Sequence, residues 1–255
     1  MLRNIFYTQF CLLVFLSFNA SGAGRDSTAQ YHQQKILIIP YEPRMHISDA
    51  DMVISEFSDR TPQQVRAIFR MGISEKLNAS LSSTYQTHSL LQDLRPEAME
   101  DMNRIYTSID YSFDTSFAIL HPRPDSASNG NWNEKKARKK ELEQRTLNGK
   151  VIFTNVKILD PRLLSSLQSK YGADIFVFMT EAEIKTNAKD CMDFQSGIYQ
   201  RDIMIHYAVF DHTGKQLYGD VASIKFPSNS NDIGDIMAQN FPALSEKIKT
   251  NIAQK

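Results

Sequence analysis

The sequence is short of the residues that define small or unusual folds. Two cysteines in 255 residues exclude a disulfide framework. Ten glycines and nine prolines are too few for a collagen-like or low-complexity chain. Neither sign of charge is in excess: 29 Lys and Arg stand against 29 Asp and Glu. No global field therefore draws nucleic acid or an anionic membrane, and nucleic acid is not an expected partner. Beyond the amino terminus no apolar run approaches the roughly 20 residues that cross a bilayer. Catalytic and cofactor motifs are missing too. Walker A, GxGxxG, HExxH and CxxC patterns do not occur, and Gly130 and Gly149 stand alone. No phosphate cradle is visible, and no cofactor is expected.

What is present begins with an address. Met1 to Ala23 has the pattern of a secretory signal peptide. Arg3 is its single cation, Phe10 to Phe18 its apolar run, and Ala20-Ser21-Gly22-Ala23 the small residues before cleavage. The run of about nine residues is too short to span a bilayer. Cleavage after Ala23 removes Cys11 and leaves Cys191 as the only thiol; retention as an uncleaved anchor is the alternative. Cys11 follows Thr8-Gln9-Phe10, which is not a lipoprotein context. The expectation is an exported protein, periplasmic in a Gram-negative bacterium, with no transmembrane span after signal removal.

Residues 24–34 form a polar lead-in, and 35–255 a single domain. Lys35 to Tyr41 is a short apolar run suited to a strand buried on both faces. Ser48, Asp49 and Asp51 are placed to cap a short helix ending at Phe57. Thr61-Pro62-Gln63-Gln64 predicts a capping box. The amphipathic helix after it carries Val65, Ile68, Phe69, Ile73, Leu77 and Leu81 to about Ser83. Another helix starts near Pro96 and runs to Tyr106. Residues 121–148 read as an insertion: a loop of Pro, Ser, Asn and Gly containing Trp132, then a basic run of Lys135, Lys136, Arg138, Lys139 and Lys140. Val151 to Leu159 predicts a strand, and Asp160-Pro161 opens a helix that Gly172 ends in the left-handed position. Ala173 to Met179 predicts a buried strand. Ile203 to Phe210 and Gln216 to Phe226 predict a hairpin, and Asp232 onward a final helix kinked or restarted at Pro242. The order is β-α-α-β-α-β-β-β-α. It implies a single α/β domain, a mixed sheet with helices packed on it.

Two segments carry a resemblance. Lys170-Tyr171-Gly172-Ala173-Asp174-Ile175-Phe176-Val177 resembles a helix-to-strand segment, and Val209-Phe210-Asp211-His212-Thr213-Gly214-Lys215 a hairpin, of one periplasmic α/β adaptor fold group. That group contains the periplasmic part of the curli-secretion protein CsgG, the lipoprotein LpoB and the amino-terminal domain of TolB. The similarity covers roughly residues 35–82 and 150–252. The chain lacks the group's lipidation cysteine, its pore-forming hairpin and its β-propeller, and the 121–148 insertion is foreign to it. It is also similar to uncharacterised exported proteins of Bacteroidetes. The resemblance implies a non-catalytic adaptor in a Gram-negative envelope and carries over no catalytic residue.

The residues themselves offer few constellations. Cys191 lies in a polar connection, Lys185 to Asp193, where Lys189 would favour its thiolate and Asp190 and Asp193 oppose it; an inert thiol is the simpler reading. His206 and His212 flank Asp211 but fall on a strand and a turn. His46, Asp49 and Asp51 lack the carboxylates and glycine of a calcium loop. The basic run has Glu134, Glu141 and Glu143 as i,i+4 partners and suits a solvated helix; contact of that run and Trp132 with headgroups or an acidic protein is the alternative. Arg44, His46 and Asp49 follow the first strand, at the sheet edge where α/β proteins take ligands, and Arg44 has the fork for a carboxylate or phosphate. A rigid strand-to-helix connection is the competing reading. The leading expectation is a non-enzymatic module that binds an envelope protein or assembly. The alternative is a small-molecule or cell-wall binding module, or a hydrolase, using Arg44, His46 and Asp49.

Overall fold

The computed structural model describes residues 33–115, 146–147 and 150–253. In chain order the elements are β1 (Lys35–Ile39), a single 3-10 turn (Pro43–Met45), β2 (His46–Ser48), α1 (Asp51–Phe57), α2 (Pro62–Ser82), β3 (Gln86–Ser89), α3 (Pro96–Thr107) and β4 (Ile109–Thr115). They continue with β5 (Thr146–Leu147), β6 (Lys150–Ile158), α4 (Leu163–Tyr171), β7 (Ile175–Asp193), β8 (Ile198–Asp211), β9 (Gln216–Pro227) and α5 (Ile233–Ile252). The main sheet is mixed and six-stranded, in the order β3-β1-β7-β8-β9, with β2 added beside β7. β1 runs parallel to β3 and β7, while β7, β8 and β9 form an antiparallel meander. The expected α/β architecture is therefore present.

Strand alternation divides the core into two layers. On one face Ile36, Ile38, Ile175, Val177, Ile205, Tyr207 and Val209 meet α1, α2 and α5. On the other, Leu37, Ile39, Phe176, Phe178, Ala208 and Phe210 meet α3, α4 and a second sheet. The period of two in β8 is the one anticipated from Ile203 to Phe210. Two helix signals act as read, while α1 begins without a side-chain cap from Ser48, Asp49 or Asp51. Thr61 Oγ1 accepts the Gln64 amide at 3.2 Å, and Gln64 Oε1 accepts the Thr61 amide at 2.9 Å. Gly172 ends α4 at φ 67°, where a Cβ would be strained. The final helix does not restart at Pro242 as anticipated: α5 runs through it as one element.

Three features depart from expectation. β3 is a four-residue polar edge strand, too short and hydrophilic to register as a strand. β4 pairs antiparallel with β6, which also pairs with β5, so a separate three-stranded sheet covers part of the main one. Lastly, Lys185 to Asp193 is not a connection: it continues β7 against β8, with irregularities near Cys191. Solvent reaches both faces of that ribbon, so no hydrophobic alternation marks it. Close packing of the two sheets depends on Gly219, where an added Cβ would stand 2.3 Å from Phe153 Cζ. No helix among the described residues is long and apolar enough to cross a membrane.

Candidate functional site

The most unusual chemistry in the described residues is a buried group of Glu181, Glu183 and His206. A bulge places it. Met179 pairs with Tyr207 and Glu181 with His206, so Thr180 is an extra residue with no partner in β8. The bulge inverts the strand's phase. Before it, Ile175, Val177 and Met179 face α2 and α5; after it, Ala182 and Ile184 do. Glu181 and Glu183 are thereby turned to the opposite face, beneath β6, where His206 also points.

Thr154 of β6 gathers the group together. Its amide donates to His206 Nδ1 at 2.8 Å, and its Oγ1 donates to Glu181 Oε2 at 2.8 Å. Its carbonyl accepts the Thr180 hydroxyl. His206 Nε2 stands 3.0 Å from Glu183 Oε1, and the Lys185 ammonium contacts Glu183 Oε2 from the solvent side. Glu181, Glu183 and His206 are 6%, 7% and 6% exposed. Neither Glu183 Oε2 nor His206 Nε2 has a well-aligned hydrogen-bond partner; both are held by close charge contacts of poor angle.

The two carboxyls titrate in opposite directions. Burial, and then the neighbouring Glu183 carboxyl, raises Glu181 above the ordinary glutamate range. Burial would raise Glu183 as well, but its close contacts with His206 and with the Lys185 ammonium outweigh it and hold that carboxyl well below the range. Two buried carboxyls within 4.8 Å of each other repel when both are ionised, which favours a proton on one of them.

The three side chains offer ligand atoms within 4.8 Å of one another, which invites a metal. The donor set does not fit one. A ligating histidine ordinarily donates from its second nitrogen to an acceptor. Here His206 Nδ1 accepts an amide, so in the neutral ring the proton sits on Nε2 and no lone pair there faces the carboxylates.

The residues singled out from sequence are placed apart. Arg44 is exposed, bonds Glu42 Oε2 at 2.8 Å and lies over the Tyr111 ring. His46 is buried, with Nε2 3.1 Å from Asp51 Oδ1 and Nδ1 3.4 Å from the Tyr41 hydroxyl. Asp51 is also held by Arg66 Nε at 2.6 Å. Burial would raise the Asp51 carboxyl, but the bonds from His46 and Arg66 prevail and lower it. Asp49 accepts the Thr186 amide at 2.8 Å and so braces β7 rather than α1. Arg44, His46 and Asp49 therefore do not converge. Trp132, Lys135, Lys136, Arg138, Lys139 and Lys140 lie outside the described residues. Cys191 is exposed, with Sγ 3.7 Å from the Ile198 carbonyl.

Topology explains why the expected ligand edge is occupied. β3 and β7 flank β1, and the connections leading to them lie on opposite faces of the sheet, so the switch point falls at β1. Beyond the end of β1, where Ile39 pairs with Phe178, the chain returns as β2 to pair with Ala182 to Ile184. The crevice is filled by the protein's own strand. A separate open cleft of about 340 Å³ lies between α2 and the loop after β3, rimmed by His88, Asp93 and Arg95. Its charges satisfy each other: Arg95 forks onto Asp93 at 2.9 and 2.5 Å, and His88 reaches Asp93 at 2.9 Å.

Sequence reasoning missed the Glu181–Glu183–His206 group. Its signal was there as a phase slip, because Ala182 and Ile184 are in step with each other and out of step with Ile175, Val177 and Met179. No family model matches the chain, and no curated protein is significantly similar to it.

Proposed function

We propose that this chain is an exported, non-catalytic cell-envelope module whose α/β body binds another envelope protein or assembly. One observation carries the reading: the sheet edge where α/β proteins take small ligands is filled by β2, while large apolar side chains stand outside. On α1 the face opposite the core presents Met52, Val53 and Phe57, the last 65% exposed. This face adjoins the start of the final helix, where Ser58 Oγ accepts the Ile233 amide at 3.1 Å. Apolar groups clustered on an outer face suit a protein partner better than solvent. The β7–β8 ribbon adds Met192 and Phe194, the latter 89% exposed.

Export is the reading of Met1 to Ala23, and the adaptor role accords with the resemblance carried by residues 170–177 and 209–215. The test is photo-crosslinking in the native envelope from probes at Phe57 and Phe194, read by mass spectrometry. A reproducible stoichiometric partner at either probe supports the module. Its absence at both, with the protein folded and exported, refutes the reading.

A further inference from the structure

The environments of Glu181 and Glu183 differ in one respect that decides where charge resides. Glu183 faces an ammonium, from Lys185, and the Nε2 edge of His206. Among the described residues Glu181 receives only a hydroxyl, from Thr154. The two carboxyls lie within 4.8 Å of each other, both buried, with the Lys185 ammonium as the cation in contact; two ions so placed repel, so one of them keeps a proton. The carboxyl with the weaker donors must carry it, because a buried charge needs the stronger ones.

We infer that the pair holds one proton, on Glu181, and that with His206 it forms a pH-sensitive clasp fastening the β4–β6 sheet to the main sheet. All three backbone and hydroxyl groups of Thr154 are engaged across that junction, by His206, Glu181 and Thr180. Loss of the Glu181 proton to solvent leaves two adjacent buried carboxylates. They repel, and Thr154 is pulled from its partners. The ionisable groups acting on the pair are His206 from β8 and Lys185 from its own strand; β6 contributes the uncharged Thr154, and β2 lies beside Glu183 with Ile47. The clasp does not depend on the identity of any partner.

The sign follows from which state holds the proton. Above the ordinary glutamate value of 4.5, the unfolded chain has lost it and the folded chain keeps it. Rising pH therefore weakens the fold until Glu181 ionises in place.

The experiment is urea unfolding of the full chain and its Glu181→Gln variant between about pH 5 and 9. In the variant the Gln amide donates to Glu183 and its carbonyl accepts from Thr154, so the clasp stays closed without a titrating proton. The expected result is that the wild-type unfolding constant grows relative to the variant's by about tenfold per pH unit, levelling off once Glu181 has ionised. Parallel profiles overturn the clasp. A second readout is independent of stability: in isotope-labelled protein, His206 must show its proton on Nε2, and a proton on Nδ1 overturns the assignment. Zinc chloride is added as a control. Stabilisation of the wild type but not of Glu181→Gln by zinc would make the group a metal site and overturn the clasp.

Discussion

Gly219 is where the packing of the two sheets can be put to a quantitative test. An alanine there places its methyl 2.3 Å from Phe153 Cζ and 2.7 Å from Cε2. Phe153 is wholly buried, so its ring has no free direction in which to retreat. Overpacking of a closed core costs about 1–3 kcal/mol. Against this, replacing glycine shortens the list of unfolded conformations and returns about 0.4–1 kcal/mol. The net expectation for Gly219→Ala is a loss of about 1–2 kcal/mol. The mechanism makes a further demand. Phe153→Leu removes two of the three atoms that clash and leaves Gln216 Nε2, the end of a flexible side chain, at 2.7 Å, so Gly219→Ala must cost much less in that background, with a coupling of about 1–2 kcal/mol. Urea unfolding of the wild type, both single variants and the double variant closes the cycle. An additive double mutant, or a single Gly219→Ala within about 0.5 kcal/mol of wild type, would refute the contact as the reason for glycine.

Asp51 anchors β2 by accepting from both His46 and Arg66. Asp51→Asn keeps one acceptor and turns an amide toward the other donor, so a loss of about 2–4 kcal/mol is expected by denaturant titration. Because the Asp51 carboxyl is held below its ordinary 3.8, its contribution is present above that pH and is lost as pH falls through the folded value. The variant should therefore show a shallower acid limb, and an unchanged one would count against the pairing. Gly172→Ala should cost about 1–2 kcal/mol from backbone strain alone, since the nearest atom, Lys35 Nζ, is 3.9 Å from the added methyl. Gly172→Asn should recover part of that loss, and equal stability of all three proteins would rule out the left-handed cap as the constraint.

The sequence was informative wherever burial and local backbone chemistry agreed. Thr61 to Gln64 and Gly172 act through neighbours a few residues away, so their roles could be read directly. The period of two in Ile203 to Phe210 survives because both faces of β8 are covered. β3, β4 and the outer half of β7 escaped notice because they are polar, exposed or paired with distant segments. Their identity as strands comes from partners, not from their own pattern. Asp49 shows the same limit. Its position suits a helix cap, but Thr186, 137 residues away, supplies a better donor pair.

The Glu181 group escaped for a different reason. An unbroken period of two from Ile175 would place both glutamates with Val177 and Met179, under α2 and α5, among apolar side chains and without donors. That cost is several kcal/mol for each ion. Inserting Thr180 as a bulge moves both carboxyls to the only face offering a hydroxyl, an imidazole and an ammonium. The same step keeps Ala182 and Ile184 in the apolar layer. One unpaired residue thus resolves a conflict between the hydrophobic pattern and the charges. The resolution also brings two acids within 4.8 Å of each other beside the strand that ties the second sheet down. A bulge placed only to relieve local strain would not need its hydroxyl. Thr180 uses it to bind the Thr154 carbonyl, which joins the phase change to the fastening of β6 in a single residue.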